Sequence, residues 1–450
     1  MNGPAEGAAA ASRAQGSALY SRSQAYAVLA AMVLFTLCLD LAKLPMNVMV
    51  DPMRRTLGIS DVQISLLLGA VGALPFVVMS LVGGWLSDRL SRRLLLSVAI
   101  VAWTLGAVIC AHATSFEMLV AGRVLVHVGA GMKLPLAMTW VNDAFPPEQR
   151  GRAVGAFFVV LGSGPSLAIM LAGVVQSAAE GGAFAAWPGP PGAEPWRATT
   201  VLLALPGLLM LPLVLGLQDQ RNVATTEVGG KALPGPAKAT FPLGLIATLV
   251  TAAALIILVD GANLAWMATV FKRNFGYDAQ QAGFAFGVVT LLAGALGPLI
   301  GGWIGDSLYR RHGAVGRVWL ACAATLCCVP LLTAYMVQGP AWLTLALTLN
   351  GICTVAALSI TYVNAQALLP DGTRGLGTGL ISATTAIVGS AGPTLVALSA
   401  QHLLAGPMAL PHSIILVGAS GSLLAALVLA AGALALARSP AARAGAGGPA

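Results

Sequence analysis

The sequence predicts an all-α membrane protein with twelve transmembrane helices in two six-helix pseudo-symmetric halves, and three observations predict it. Charged residues make up 9% of the 450 and hydrophobic residues 57%, whereas soluble domains usually carry roughly 25% charged residues. The apolar residues fall into long runs between polar breaks, each near the ~20 residues needed to cross ~30 Å of hydrocarbon. The second half of the chain then echoes the first.

Runs near 25–50, 63–86, 94–113, 117–141, 152–177, 198–217, 243–271, 280–304, 317–337, 341–363, 375–403 and 411–437 give twelve crossings. Each run is continuously apolar rather than alternating, so the crossings are read as helices, which satisfy their own backbone in lipid, and not as barrel strands. Residues 1–24 are then an N-terminal tail, 25–217 the first half, 218–241 a linker, 242–437 the second half and 438–450 a C-terminal tail. The first 24 residues lack the apolar core of a signal peptide, so the first span is expected to direct its own insertion. If tails and linker are cytoplasmic, 16 of the 24 Lys and Arg fall inside, and only Arg54, Arg55, Arg197, Lys272 and Arg273 fall outside. That asymmetry sets the orientation. The expectation is a multi-pass, monomeric protein of the plasma (inner) membrane, with the lipid bilayer as its surroundings.

Several functions are excluded on composition and motif. The net charge of +8 is scattered in short clusters, without the basic stripe or aromatic ladder of a nucleic-acid binder. The six cysteines all sit in apolar segments without metal-ligand spacing, so they read as small packing residues, and neither metal nor cofactor is expected. No HExxH, GxSxG or Walker A sequence is present, so no catalytic residues are assigned and an enzyme is not expected.

The internal echo carries more. LCLDLAKLPMN through GGWLSDRLSRR in the first half returns as ILVDGANLAWM through GGWIGDSLYRR in the second, with Asp40 48 residues before Asp88 and Asp260 46 before Asp306. A second echo pairs GSGP at 162–165 with GSAGP at 389–393. A repeat of six spans keeps both halves in the same orientation, about an axis along the membrane normal, and such a repeat places a solute site at the midplane between them.

At Gly84, Asp88, Arg89, Arg92 and Arg93 the chain resembles the major facilitator superfamily, whose loop signature GxLaDRxGRR is matched except for Ser91. The likeness runs over most of residues 25–437. The arginine run at Arg123, FPPEQRGRAVG and EPWRATT make it look most like the Spinster-related and organic-anion symporter branches. The resemblance implies a conformational latch at Gly84, Asp88, Arg89, Arg92 and Arg93, repeated at Asp306, Arg310 and Arg311, and a cavity lined by spans one, four, seven and ten. Two positions depart from the Spinster-like pattern, Leu41 after Asp40 and Ala130 where an acid is usual.

Ionisable side chains inside a membrane are functional by default, and five lie within the spans: Asp40, Lys43, Arg123, Lys133 and Asp260. Rise along each helix puts Asp40 at roughly 15 Å from the outer end, Arg123 at roughly 9 Å and Lys133 at roughly 24 Å, so Asp40 is expected to meet Arg123 or Lys43 before Lys133. Asp40, Lys43 and Asn47 are spaced to share a helix face, as are Asp260 and Asn263. The expected roles are proton coupling for Asp40 and Asp260 and solute binding for Lys43, Asn47, Arg123, Lys133, Asn263 and Asn350. His127 is read as a packed histidine or a proton carrier. Three cations against two acids favour a small anionic or zwitterionic organic solute, moved by alternating access and coupled to protons through Asp40. The alternatives are a drug, metabolite or lysolipid exporter and a non-transporting receptor with the same fold.

Overall fold

The computed structural model describes residues 20–87, 89–184, 194–220, 243–337, 339–369, 374–404 and 406–438. Asp88, most of the linker and nearly all of both tails lie outside them. Eleven helices among the described residues are long and apolar enough to cross a membrane. Spans one to seven are Arg22–Val48, Asp61–Ser87, Arg92–Ala111, Phe116–Ala144, Gln149–Glu180, Pro195–Gly216 and Leu243–Phe275. The next helix, Ala279–Met336, is 58 residues long and contains Gly313 at φ 62 and ψ −157. It is therefore two crossings, span eight (279–312) and span nine (314–336), with a tight turn at a residue that needs no Cβ. Pro340–Ala367, Gly379–His402 and Ala409–Arg438 follow as spans ten to twelve. The sequence reading ended span eight near 304; helix-forming residues such as Leu308, Arg310 and Arg311 carry it on to the turn.

Local chemistry sets where helices begin. Ser21, Ser60 and Asp278 each accept a hydrogen bond from the amide three residues on, and Gln24, Gln63 and Gln281 answer with a side-chain bond to the cap amide. These reciprocal bonds satisfy amides that have no partner inside the helix. Proline and glycine set where helices break. Span one stops being α-helical at Lys43, and Pro45–Val48 forms a short 3-10 turn, because a proline at 45 removes an amide donor and crowds the preceding turn. Span two breaks at Gly69, between Asp61–Leu68 and Ala70–Ser87. Span eleven breaks at Ser390, between Arg374–Gly389 and Gly392–His402.

Between spans, small residues let backbones approach, the main packing device where no hydrophobic gain separates lipid from protein. A Cβ on Gly106 would come within 2.5 Å of the Gly122 carbonyl, and one on Gly122 within 2.7 Å of the Gly106 carbonyl, so spans three and four are locked close at this pair. Trp103 fills the space above, tilted against Phe35 at 4.8 Å between ring centroids and fully buried. Spans five and eight meet across Gly173 and Gly283, where a Cβ on Gly283 would lie 3.0 Å from the Gly173 Cα. The contact between spans five and eight brings the first six spans against the last six. The face carrying Tyr20 and Arg438 is called the terminal face below, and that carrying Asp51 and Arg273 the distal face.

Candidate functional site

Spans one and four bring the first charged pair together. Lys133 Nζ lies 3.3 Å from Asp40 Oδ1, with the Asp40 side chain 4% exposed and that of Lys133 16%. Depth along the helices predicts Arg123 or Lys43 as the partner of Asp40; the structure pairs it with Lys133 instead. Spans one and four run antiparallel, and helical side chains lean toward their own N-terminus. Asp40 and Lys133 therefore lean toward each other, and the long lysine stem closes the gap. Asp40 Oδ2 is buried without a hydrogen-bond partner among the described residues. It rests against span five where Gly164 has no side chain, since a Cβ there would come within 2.9 Å of this oxygen. The GSGP string thus makes room for the carboxylate.

Arg123 is held differently from the expected solute contact. Its Nη1 donates to the Lys43 carbonyl at 2.8 Å and its Nε to the Leu67 carbonyl at 3.2 Å. Both carbonyls sit at C-terminal helix ends, the one stopped before Pro45 and the other before Gly69, where carbonyls have lost their helical donors and the dipole favours a cation. Arg123 is 4% exposed and borders a space of only about 20 Å³, too little for an organic solute. Lys43, whose ammonium lies 5.9 Å from the Phe76 ring centroid, borders the same space. One turn on, His127 Nδ1 donates to the Arg123 carbonyl, 2.8 Å away, and the ring packs where Gly72 leaves no side chain. Its ring is buried, with the residue 5% exposed. Ala130, buried beside it in the same helix, supplies no acid.

The second half presents the mirror position without a cation. Asp260, Asn263 and Asn350 line a cavity of about 100 Å³ with Thr290, Gly294 and Gly351. Asn263 accepts from the Tyr335 hydroxyl at 3.1 Å, and Asn350 donates to the Cys328 carbonyl at 3.2 Å. Asp260 makes no hydrogen bond or ion pair with any described residue. Asn47 is not on the face of Asp40 and Lys43, because the α-helix ends before it; its amide instead donates to the Leu264 carbonyl of span seven at 3.3 Å.

That bond belongs to a seam that joins the halves at the distal face. Arg273 Nη2 lies 2.6 Å from Asp51 Oδ1 and 3.0 Å from Asp61 Oδ1, and its Nε and Nη1 add bonds of 2.9 and 3.0 Å to the same two acids. Arg54 Nε stands 3.0 Å from Asp61 Oδ1 as an ion pair without hydrogen-bond alignment. Lys272 donates to the Val48 carbonyl at 3.3 Å, and Ser65 to Thr394 at 3.3 Å. Gly69 is pressed on the Ser390 carbonyl, so closely that a Cβ would lie 2.3 Å from it. Gly69→Ala is therefore expected to open this seam. Overpacking against a backbone atom costs about 1–3 kcal/mol, a population shift of roughly 5- to 150-fold. A thiol reagent added from the distal side should label a cysteine at Met267, which is 2% exposed beneath the seam, faster by that factor; an unchanged rate would show that the seam does not control access.

The loop residues read as a latch make their described contacts within their own half or, for Arg92, with Asp219 at the start of the linker. Arg89 stacks on Trp85, 4.0 Å from the ring. Arg92 is buried, bonding Asp143 at 2.5 Å through its guanidinium and Asp219 at 2.7 Å through its amide. Gly84 faces Pro135 of span four, and Arg93, Arg310 and Arg311 are exposed. Asp306 pairs with Arg317 across the span eight to nine turn. Asp88 lies outside the described residues. Asp143, Asp219 and Arg317, like Asp51 and Asp61, were not singled out in the sequence, because each stands in a polar loop or helix end where a lone charge is ordinary.

With this geometry in hand, comparison places the chain. A profile of the Major Facilitator Superfamily matches residues 27–393. Protein spinster of Drosophila melanogaster is 23% identical over 279 residues, 59% of this chain and 43% of that one. A hexuronate transporter of Bacillus subtilis (strain 168) is 26% identical over 301 residues, 65% of this chain and 66% of that one. Both alignments span under two thirds of the relative's own length. The crystal structure of a bacterial homologue of the lysosomal transporter Spinster, inward-facing and occupied, superposes with a TM-score of 0.75 at 20% identity, over 92% of this chain and 96% of that one. Twelve crossings, a repeated loop signature and a matching profile over most of the length lead to one conclusion: the chain belongs to the Major Facilitator Superfamily, whose members are membrane transporters and not enzymes.

Proposed function

We propose that the chain is a proton-coupled secondary transporter of a small organic anion, working by alternating access in which halves 25–217 and 242–437, joined by the linker 218–241, rock about a midplane site. The observation that carries this reading is the buried Asp40–Lys133 pair with one carboxylate oxygen left without a hydrogen-bond partner among the described residues. While Asp40 is ionised it holds Lys133. A proton delivered to Asp40 removes the charge partner and frees the ammonium for a solute carboxylate or sulfonate, so proton and anion load together. Intramembrane charge pairs of this kind mark transport pathways. The name of the hexuronate transporter, a carboxylate sugar carrier, is in keeping with an anion.

Within this proposal Lys133 meets the anion, and Asp260, in its cavity with Asn263 and Asn350 and without a hydrogen bond or ion pair to a described residue, is a second proton or hydroxyl-binding position. Lys43, Arg123 and Asn47 are assigned to the framework. The distal face is extracytoplasmic and the terminal face cytoplasmic, in the plasma (inner) membrane, with the latch loops at Gly84–Arg93 and Asp306–Arg311 closing the terminal face in the opposite state. A monomer suffices. Proteoliposomes loaded and diluted across a pH gradient test the coupling with hexuronates and sulfonates as candidate solutes. Asp40→Asn mimics the protonated acid and leaves Lys133 free, so gradient-driven accumulation should vanish while solute-for-solute exchange persists. Normal proton-driven accumulation in Asp40→Asn would rule this reading out.

A further inference from the structure

The first span of each half leads into a similar short sequence before the second span begins. Arg54-Arg55-Thr56-Leu57-Gly58 is answered by Lys272-Arg273-Asn274-Phe275-Gly276, every residue offset by 218 positions, the same offset that relates Asp88 to Asp306. The likeness is also structural. Gly58 and Gly276 both take a left-handed conformation, at φ 65 and φ 69, and Ser60 and Asp278, again 218 apart, both cap the following helix with a glutamine three residues on. Each half thus projects a dibasic turn at the distal face.

The fold brings the two turns together. Arg54, Arg55, Lys272 and Arg273 line one cavity of about 730 Å³ at the seam, with Asp51 on its wall. They are four of the five cations that the sequence places on this side, the fifth, Arg197, being stacked on Trp196 and bonded to the Ala111 carbonyl. Two of the four are neutralised, Arg273 by Asp51 and Asp61 and Arg54 by Asp61. Asp278, next to the lining residue Tyr277, is engaged by the Gln281 amide. Two cations remain without a charged partner among the described residues. Lys272 donates only to a neutral carbonyl, and Arg55 is exposed with no hydrogen bond or ion pair to a described residue.

We propose that this cavity is an anion site in which Arg55 of the first half and Lys272 of the second hold one oxyanion between them, a phosphate, sulfonate or carboxylate group. Like charges of two halves converge on open space at a cost that an anion between them reverses. Helix-end electrostatics explains a basic residue in each last turn, but not the meeting of both pairs on a single cavity. Because its two sides come from different halves, the site is whole only while the seam is closed. It is separate from the Asp40–Lys133 site and stands whether or not the transported solute is an anion.

Thermal unfolding of the full-length chain in phosphatidylcholine nanodiscs tests it, with inorganic phosphate compared against chloride at equal ionic strength. The wild type should unfold at a higher temperature in phosphate, as any ligand of the folded state requires. Arg55→Gln, which removes no observed bond, should lose that increment, Lys272→Gln should lose it as well, and Arg55→Lys should keep part of it. A second arm replaces phosphate with phosphatidylglycerol in the disc. An increment seen only there, and lost in the same variants, makes the oxyanion a lipid headgroup, while one seen with free phosphate makes it a solute. Increments that are equal in wild type and both Gln variants, or absent from both arms, overturn the proposal.

Discussion

Lys133→Met is expected to cost about 3–5 kcal/mol of folded stability, the usual result of removing one partner of a buried ion pair. The methionine keeps most of the stem volume, so little of the loss comes from packing. The cost arises at Asp40, 4% exposed at its side chain and pressed on Gly164, which would keep a buried charge without its partner. Pairing Lys133→Met with Asp40→Asn removes both charges and should restore most of the stability. Transport should not return with it, because the ammonium that meets the anion is gone. Unfolding of the two variants in detergent, together with exchange of labelled solute in proteoliposomes, separates the effects. A single variant as stable as wild type would show that the pair is not holding a buried charge; a double variant that exchanges solute normally would remove Lys133 from the binding site.

Much of this architecture is legible in the sequence because lipid allows few alternatives. A backbone in hydrocarbon must close its own hydrogen bonds, so continuous apolar runs become helices, and twelve runs become twelve crossings. The turn between spans eight and nine is less legible, since hydropathy registers polarity and not the φ of Gly313. Charge partners are the least legible. Depth along a helix ranks Arg123 ahead of Lys133 as the partner of Asp40, but the lean of side chains along antiparallel helices reverses that order. Arg123 caps the broken ends of spans one and two, a role that depends on where Pro45 and Gly69 end those helices. A charge count in the membrane takes it instead for a solute contact. The dibasic turns were open to discovery from their common offset of 218 residues; their convergence at one seam requires the fold.

Arg273→Gln is expected to release the distal face. Arg273 reaches from span seven to Asp51 and Asp61 of the first half through four hydrogen bonds between 2.6 and 3.0 Å. Its side chain is 27% exposed and those of the acids 20% and 29%, so solvent weakens the pairing without abolishing it. Exposed pairs are each worth little, yet a guanidinium bonded to two carboxylates is a network, and hydrogen bonds to charged groups contribute about 1.5–3 kcal/mol. Nothing comparable is lost when the face opens in the variant, because Arg273 has already gone. The closed state alone loses stabilisation, and the equilibrium moves toward opening by roughly 10- to 150-fold. The rate at which a reagent on the distal side labels a cysteine at Met267 reads that shift directly. Screening acts on the same charges, so high salt should raise the wild-type rate and leave the variant little changed. Asp51→Asn combined with Arg273→Gln should add less than the two changes made singly, since each removes the same bonds. If the variant labels as slowly as wild type at low salt, the apolar and glycine contacts of the seam hold it shut, and Gly69→Ala becomes the change that opens it.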